Sequence, residues 1–178
     1  MKLDHIDRNR NFTKRVLADF SGCLTELLQT KRLEDITIGE LCKKCSYPRS
    51  TFYNYFEDIY ALMDYCWIIV SDEIKIDDFQ AITHEVRTLT LFDRAYTYMD
   101  NNRSLIDRLM KHNSENGAMV QSMSRYMKGI ISRMVMECPA SDKYPIPYDI
   151  VIEHYTNTIL LILRRLNLSP TGLNFNNF

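Results

Sequence analysis

The stretch ITIGELCKKCSYPRSTFYNYF carries the side chains of this chain that are best suited to molecular recognition. Arg49 can form bidentate hydrogen bonds with a guanine edge or contact a phosphate, and Ser50 and Thr51 are short donors that fit close to bases. Tyr53 and Asn54 add a hydroxyl and an amide within one helical turn. Alone, Arg49 would be a solvated surface residue, but within this group the residue types predict contact with double-stranded DNA.

Two short helices joined by a tight turn must present these side chains. Thr37 and Glu40 have the spacing of a capping box, in which the Thr37 hydroxyl accepts from the Glu40 backbone and the Glu40 carboxylate reaches back to Thr37. Pro48 is tolerated at a helix start and is disruptive later, so it predicts the beginning of the next helix. That second helix would face outward, where it can enter a major groove.

The rest of the chain predicts an all-α fold. Five glycines and five prolines in 178 residues favour helices over a turn-rich sandwich or barrel. A first helix over residues 9–29 would bury one apolar face, formed by Phe12, Val16, Phe20, Leu24 and Leu27. Asp58 is a good N-cap for a fourth helix reaching residue 75. Later helices are predicted over residues 88–101, 104–112, 117–137 and 147–168.

These elements predict an N-terminal three-helix head with a helix-turn-helix, residues 1–57, followed by a C-terminal helical bundle, residues 58–178. Residues 1–57 hold 10 Lys or Arg against 8 Asp or Glu, and residues 58–100 hold 3 against 9. The head is therefore only mildly basic. DNA binding by this head would depend on where individual charges lie and not on bulk electrostatics.

The motif resembles that of the TetR family of transcriptional regulators. The matching pattern is Ile36-Thr37-Ile38, Leu41-Cys42, Cys45 and the run RSTFYNYF, and the spacing agrees across residues 12–62. The resemblance implies a homodimeric repressor that releases an operator when a small effector binds the helical body. It also implies roles by position: Arg49, Ser50 and Thr51 facing bases, Tyr53 on the DNA backbone, and Thr37 near a phosphate. The predicted DNA-binding residues are Thr37, Tyr47, Arg49, Ser50, Thr51, Tyr53 and Asn54.

Three features depart from the family pattern. Ile59 stands where the family commonly has a lysine that grips a phosphate, which should weaken electrostatic binding beside Glu57 and Asp58. Ser46 replaces the glycine of the turn. The chain also ends soon after the helix that closes at Leu168, where family members usually have one more dimerisation helix.

An effector pocket and a dimer interface are the further expectations. Methionines spaced along a helix are typical of an ordinary core, yet methionine also suits an adaptable pocket. The candidates for the pocket lining are Trp67, Phe92, Tyr96, Met99, Met123 and Tyr126. Residues 159–163 are apolar on every side of a helix, which indicates cover on more than one side, either by a second subunit or inside a monomer. The candidates for the dimer interface are Tyr155, Ile159, Ile162, Leu163 and Leu166.

Other classes of function find little support in the residues. Cys42 and Cys45 have CxxC spacing without a second Cys or His pair nearby, so packing is expected and no metal or cofactor site is predicted. No nucleophile set, paired acids or phosphate loop indicates an enzyme. The longest apolar run is far short of a membrane span, and the odd number of cysteines behind a polar N-terminus indicates the cytoplasm. The remaining alternative is a protein-interaction module on the same fold, with weak or partner-dependent DNA binding.

Overall fold

The computed structural model describes residues 11–114, 116–137 and 146–168, with side chains placed for all of these except residues 84 and 162–168. Every regular element within these ranges is helical, which confirms the all-α prediction. Short 3₁₀ turns cover Leu33–Asp35 and Ile76–Ala81. The α-helices are α1 (Asn11–Leu28), α2 (Ile38–Cys45), α3 (Arg49–Tyr55), α4 (Ile59–Ile74), α5 (His84–Asn101), α6 (Arg103–His112), α7 (Ala118–Met136) and α8 (Tyr148–Leu168).

Helices α2 and α4 begin with the side-chain N-caps that the sequence predicted. The Asp58 carboxylate accepts from the Ala61 N–H at 2.8 Å, as predicted for the N-cap of α4. The Thr37 hydroxyl accepts from the Glu40 N–H at 3.2 Å. The other half of the predicted capping box is wrong, because the Glu40 carboxylate pairs with Lys31 Nζ at 2.5 Å. A full positive charge within reach of Glu40 outcompetes a single backbone amide.

The start of α5 also differs from expectation. The sequence predicted a helix from Thr88, whereas α5 begins at His84 with Thr83 at its N-cap position. Glu85 lies in the first turn of α5, where a carboxylate is stabilised by the partial positive charge of the helix N-terminus. This end effect does not appear in the apolar periodicity from which the start was predicted.

The chain forms two compact units. Within the described residues, unit 1 comprises residues 11–77, 104–114 and 116–123, and unit 2 comprises residues 78–103, 124–137 and 146–168. The predicted division between residues 57 and 58 falls inside unit 1, so α1 to α4, α6 and the first part of α7 belong to the same packed body.

The core of unit 1 is built on one stripe of α1. Val16, Phe20 and Leu24 are fully buried in it. The prediction that Phe12 belongs to this face is wrong, because its side chain is 66% exposed. The buried stripe runs through Thr13 and Phe20, which places Phe12 at its edge.

A buried asparagine ties α6 to the segment between α1 and α2. The Asn113 side chain is 1% exposed and its Oδ1 accepts from the Leu33 N–H at 3.0 Å. Its Nδ2 donates to the carbonyls of Leu28 at 3.0 Å and Lys31 at 3.2 Å. Nδ2 also donates to the Leu109 carbonyl at 3.0 Å. One side chain therefore satisfies backbone groups that neither α1 nor the 3₁₀ turn can satisfy alone.

The core of unit 2 is smaller and is formed by α7 and α8. Ile131, Val135, Val151 and Ile152 are buried together there. At its surface Lys128 pairs with Glu153, which links the two helices by charge. None of the helices in the described part of the chain is both long enough and apolar enough to cross a bilayer.

Candidate nucleic-acid interface

The connection between α2 and α3 is a tight, left-handed turn. Ser46 ends α2 with φ 60° and ψ 34°, the left-handed region in which a side chain is strained. The Tyr47 N–H donates to the Cys42 carbonyl at 3.0 Å, and Pro48 then precedes the first residue of α3. The turn places the start of α3 directly after the end of α2, and the position that needs positive φ is the one at which the TetR pattern has glycine.

The strain at Ser46 leads to a stability prediction. Ser46→Gly is expected to stabilise the fold by about 1 kcal/mol, because glycine adopts positive φ without the steric cost that other residues pay. Ser46 is exposed, so no buried contact is lost. Chemical denaturation measures the effect. Ser46→Ala is the matched control, since it removes the hydroxyl and keeps the strained backbone. Equal stability of the two variants would contradict the strain argument.

An aromatic cluster fixes the inner side of α3. Phe52 and Phe56 are fully buried. Their rings lie 5.4 Å and 6.4 Å from that of Phe20 in edge-to-face geometry. Tyr55 is also buried. Such aromatic pairs favour one orientation of α3 on α1.

The outer side of α3 presents most of the predicted DNA-binding residues. Arg49, Ser50, Tyr53 and Asn54 are exposed, and Thr51 is half-buried. The Tyr53 side chain is 45% exposed while its ring also stands edge-on to Phe52 at 5.6 Å. The structure therefore brings these donors together on a single short helix.

Tyr47 is placed differently from the residues of α3. Its hydroxyl donates to Asp19 Oδ2 at 2.8 Å, and its ring lies 5.3 Å from that of Phe20. The hydrogen bond to Asp19 raises the pKa of the Tyr47 hydroxyl, with burial adding to the effect. Tyr47 thus anchors the turn to α1, and contact with DNA through its hydroxyl would first require this bond to break.

The remaining positions near the head are those of Thr37 and Ile59. Thr37 is exposed at the N-terminus of α2, with its hydroxyl engaged in the cap. Ile59 is 7% exposed and packs in the core of unit 1. The residue that departs from the TetR pattern therefore has a packing role at the start of α4.

Most cations of the head already have acidic partners. Lys31 pairs with Glu40 at 2.5 Å and Lys44 with Glu26 at 2.7 Å. Among the described residues of the head, Lys14, Lys43 and Arg49 form no ion pair, and all three are exposed. The positive charge without an acidic partner therefore lies on α1 as well as at the end of α2 and the start of α3.

The cysteines of unit 1 behave as packing residues. Cys42 is 3% exposed, and burial raises the pKa of its thiol, an effect that the charge of Arg49 partly opposes. Burial and a hydrogen bond with Cys23 raise the pKa of the Cys45 thiol, and burial raises the pKa of Cys66 to about 12. Protonated thiols are poor metal ligands at neutral pH. Across the described ranges, no group of three His, Cys, Asp or Glu side chains could hold a metal ion.

The residues predicted for an effector pocket divide between the two units. Trp67 and Met123 are half-buried against the core of unit 1. The Trp67 indole N–H donates to Ser122 Oγ at 3.1 Å, and Ser122 Oγ donates to Asp64 Oδ1 at 2.6 Å. In unit 2 the remaining candidates are all half-buried, namely Phe92, Tyr96, Met99 and Tyr126. The effector pocket stays a prediction.

The residues predicted for the dimer interface lie on α8. Tyr155 is 43% exposed, and Ile159 is half-buried against the core of unit 2. The side chains of Ile162, Leu163 and Leu166 lie outside the described part of the chain. The interface therefore stays a prediction.

Sequence reasoning missed Gly39, which lies next to Arg49. An ideal Cβ built on Gly39 would stand 2.3 Å from Arg49 Nη2. The available signal was the glycine itself. Glycine destabilises a helix, so its presence in the first turn indicates that a larger side chain would not fit there.

Comparison of the chain with protein-family models and with curated proteins finds no match.

Proposed function

We propose that this chain is a DNA-binding transcriptional regulator of the TetR kind. In this proposal α2 and α3 form a helix-turn-helix, and α3 enters the major groove of an operator. The observation that carries it is the exposure of Arg49, Ser50, Tyr53 and Asn54 on one short helix whose other side is fixed in an aromatic core. The fixed orientation of α3 matters because contacts with base edges require its side chains to be positioned accurately relative to the groove.

In the proposed mechanism the protein acts as a homodimer and a repressor. Two heads would bind half-sites separated by about one helical turn of DNA or a multiple of it. A small molecule bound in the helical body would shift α4 and change the spacing of the heads. The ligand relieves repression only to the extent that it binds the released state more tightly than the bound state.

The competing proposal is a protein-interaction module on the same fold. It is supported by the ion pairs that occupy Lys31 and Lys44, and by Ile59 in place of a phosphate-gripping lysine. In that case the heads would bind DNA weakly or only with a partner protein.

DNA binding itself separates the two proposals. The experiment is fluorescence anisotropy with the fragment upstream of the protein's own gene, at two salt concentrations and with random DNA as competitor. A regulator is expected to bind selectively and to lose affinity steeply with salt, because each neutralised phosphate contributes a slope of about −0.9. If the operator lies elsewhere in the genome, selection of bound sequences from a random-sequence DNA pool would identify it. Failure of both experiments, with a dimer still present, would favour the interaction module.

A further inference from the structure

The side chain of Arg49 occupies space that exists only because residue 39 is glycine. An ideal Cβ on Gly39 would lie 2.3 Å from Nη2, 3.2 Å from Cζ and 3.3 Å from Nε of Arg49. The first of these distances is shorter than any real Cβ contact. The guanidinium therefore lies directly against the first turn of α2, and any other residue at position 39 would displace it.

A second observation places the positive charge of Arg49 along α2. Cys42 lies one turn beyond Gly39, and the charge of Arg49 lowers the pKa of its thiol against the larger raising effect of burial. Arg49 is the first residue of α3, yet its charged end is directed back to the preceding helix. The reach of this side chain toward the outward face of α3 is correspondingly reduced.

The two helices of a helix-turn-helix meet different parts of DNA. The second helix lies in the major groove, whereas the first crosses the sugar-phosphate backbone. The first turn of any α-helix also leaves backbone N–H groups without intrahelical acceptors, which favours anions there. An arginine that lies against the first turn of α2 is therefore placed for a phosphate, and a base edge would require it to leave that position.

We infer that Gly39 is a positioning residue for Arg49, and that it directs the Arg49 guanidinium to a DNA phosphate instead of a base edge. This inference rests on the proposed DNA-binding function and refines the role of Arg49 within it. Arg49 then contributes affinity that does not depend on sequence, and selectivity comes from the other exposed residues of α3.

The test compares Gly39→Ala, Arg49→Ala and the double variant by anisotropy over a series of salt concentrations. Both the selected operator and random DNA are used as probes. Gly39→Ala should fold, because alanine is the better helix former and the atoms it meets are the flexible end of Arg49. Gly22→Ala is the matched control, since Gly22 lies in α1 and an added Cβ there meets nothing within 4 Å.

Gly39→Ala is expected to weaken binding to operator and random DNA by the same factor, about tenfold. The salt slope of a dimer should become shallower by about 2, one phosphate for each subunit. Arg49→Ala should show the same salt slope as Gly39→Ala. The double variant should bind DNA no more weakly than Arg49→Ala. Gly22→Ala should match the wild type.

Three results would overturn the inference while the proposed function stands. They are a Gly39→Ala variant that binds like the wild type, a loss confined to the operator with an unchanged slope, and additive effects of the two substitutions. A wild-type protein without selective DNA binding would instead overturn the proposed function, and this inference with it.

Discussion

Replacing Arg49 and Tyr53 together by alanine is expected to lower operator affinity about a hundredfold or more. Each subunit of a dimer loses both contacts. Loss of the Arg49 phosphate contact is expected to weaken binding about tenfold and loss of the Tyr53 contact about a further tenfold, where 1.4 kcal/mol is tenfold. Both side chains are exposed on α3, so their removal should leave the fold intact. Anisotropy titration with the selected operator measures the loss, and circular dichroism checks the helix content.

The matched control for this pair is Arg125→Ala with Tyr148→Ala. These two residues have the same side-chain types, are exposed, and lie on α7 and α8, far along the chain from α3. The control variant should bind operator within a factor of about two of the wild type, as substitutions away from an interface do. Unchanged affinity of the Arg49 and Tyr53 variant would contradict the assignment of α3 as the recognition helix.

Asn113→Ala is expected to destabilise the protein by about 3 kcal/mol, the largest effect on folding that we predict from one side chain. The substitution leaves the Leu33 N–H and the carbonyls of Leu28 and Lys31 without their partner inside the protein. Each buried polar group left unsatisfied costs about 1–3 kcal/mol, although part of the total is recovered if water enters. Chemical denaturation followed by circular dichroism measures the change.

Asn157→Ala provides the control for Asn113→Ala. Asn157 is exposed on α8, so the same change of residue type should alter stability by less than about 0.5 kcal/mol. Similar denaturation curves for the two variants would show that the Asn113 network is not needed for folding. A destabilised Asn113→Ala that still bound operator at low temperature would separate this structural role from DNA contact.

The starts of α2 and α4 could be predicted from the sequence alone. Thr37 and Asp58 cap the helices that follow them, because an N-cap hydrogen bond joins residues only three positions apart. The burial of Phe52 and the exposure of Tyr53 agree with the sequence pattern that the motif resembles. These signals are local, so a linear pattern contains all the information they need.

Contacts between distant segments were decided by the tertiary structure. The sequence predicted DNA contacts for Tyr47 and Arg49, which stay predictions, but it could not show that the Tyr47 hydroxyl donates to Asp19 or that the Arg49 guanidinium lies against Gly39. In the sequence, Asn113 is one polar residue near the end of a predicted helix. In the structure, it is buried and accepts a hydrogen bond from the Leu33 N–H within unit 1. The orientation of a long or polar side chain depends on which acceptors and spaces other helices bring to it. Helix packing determines that arrangement, and it is not contained in the spacing of residues along one helix.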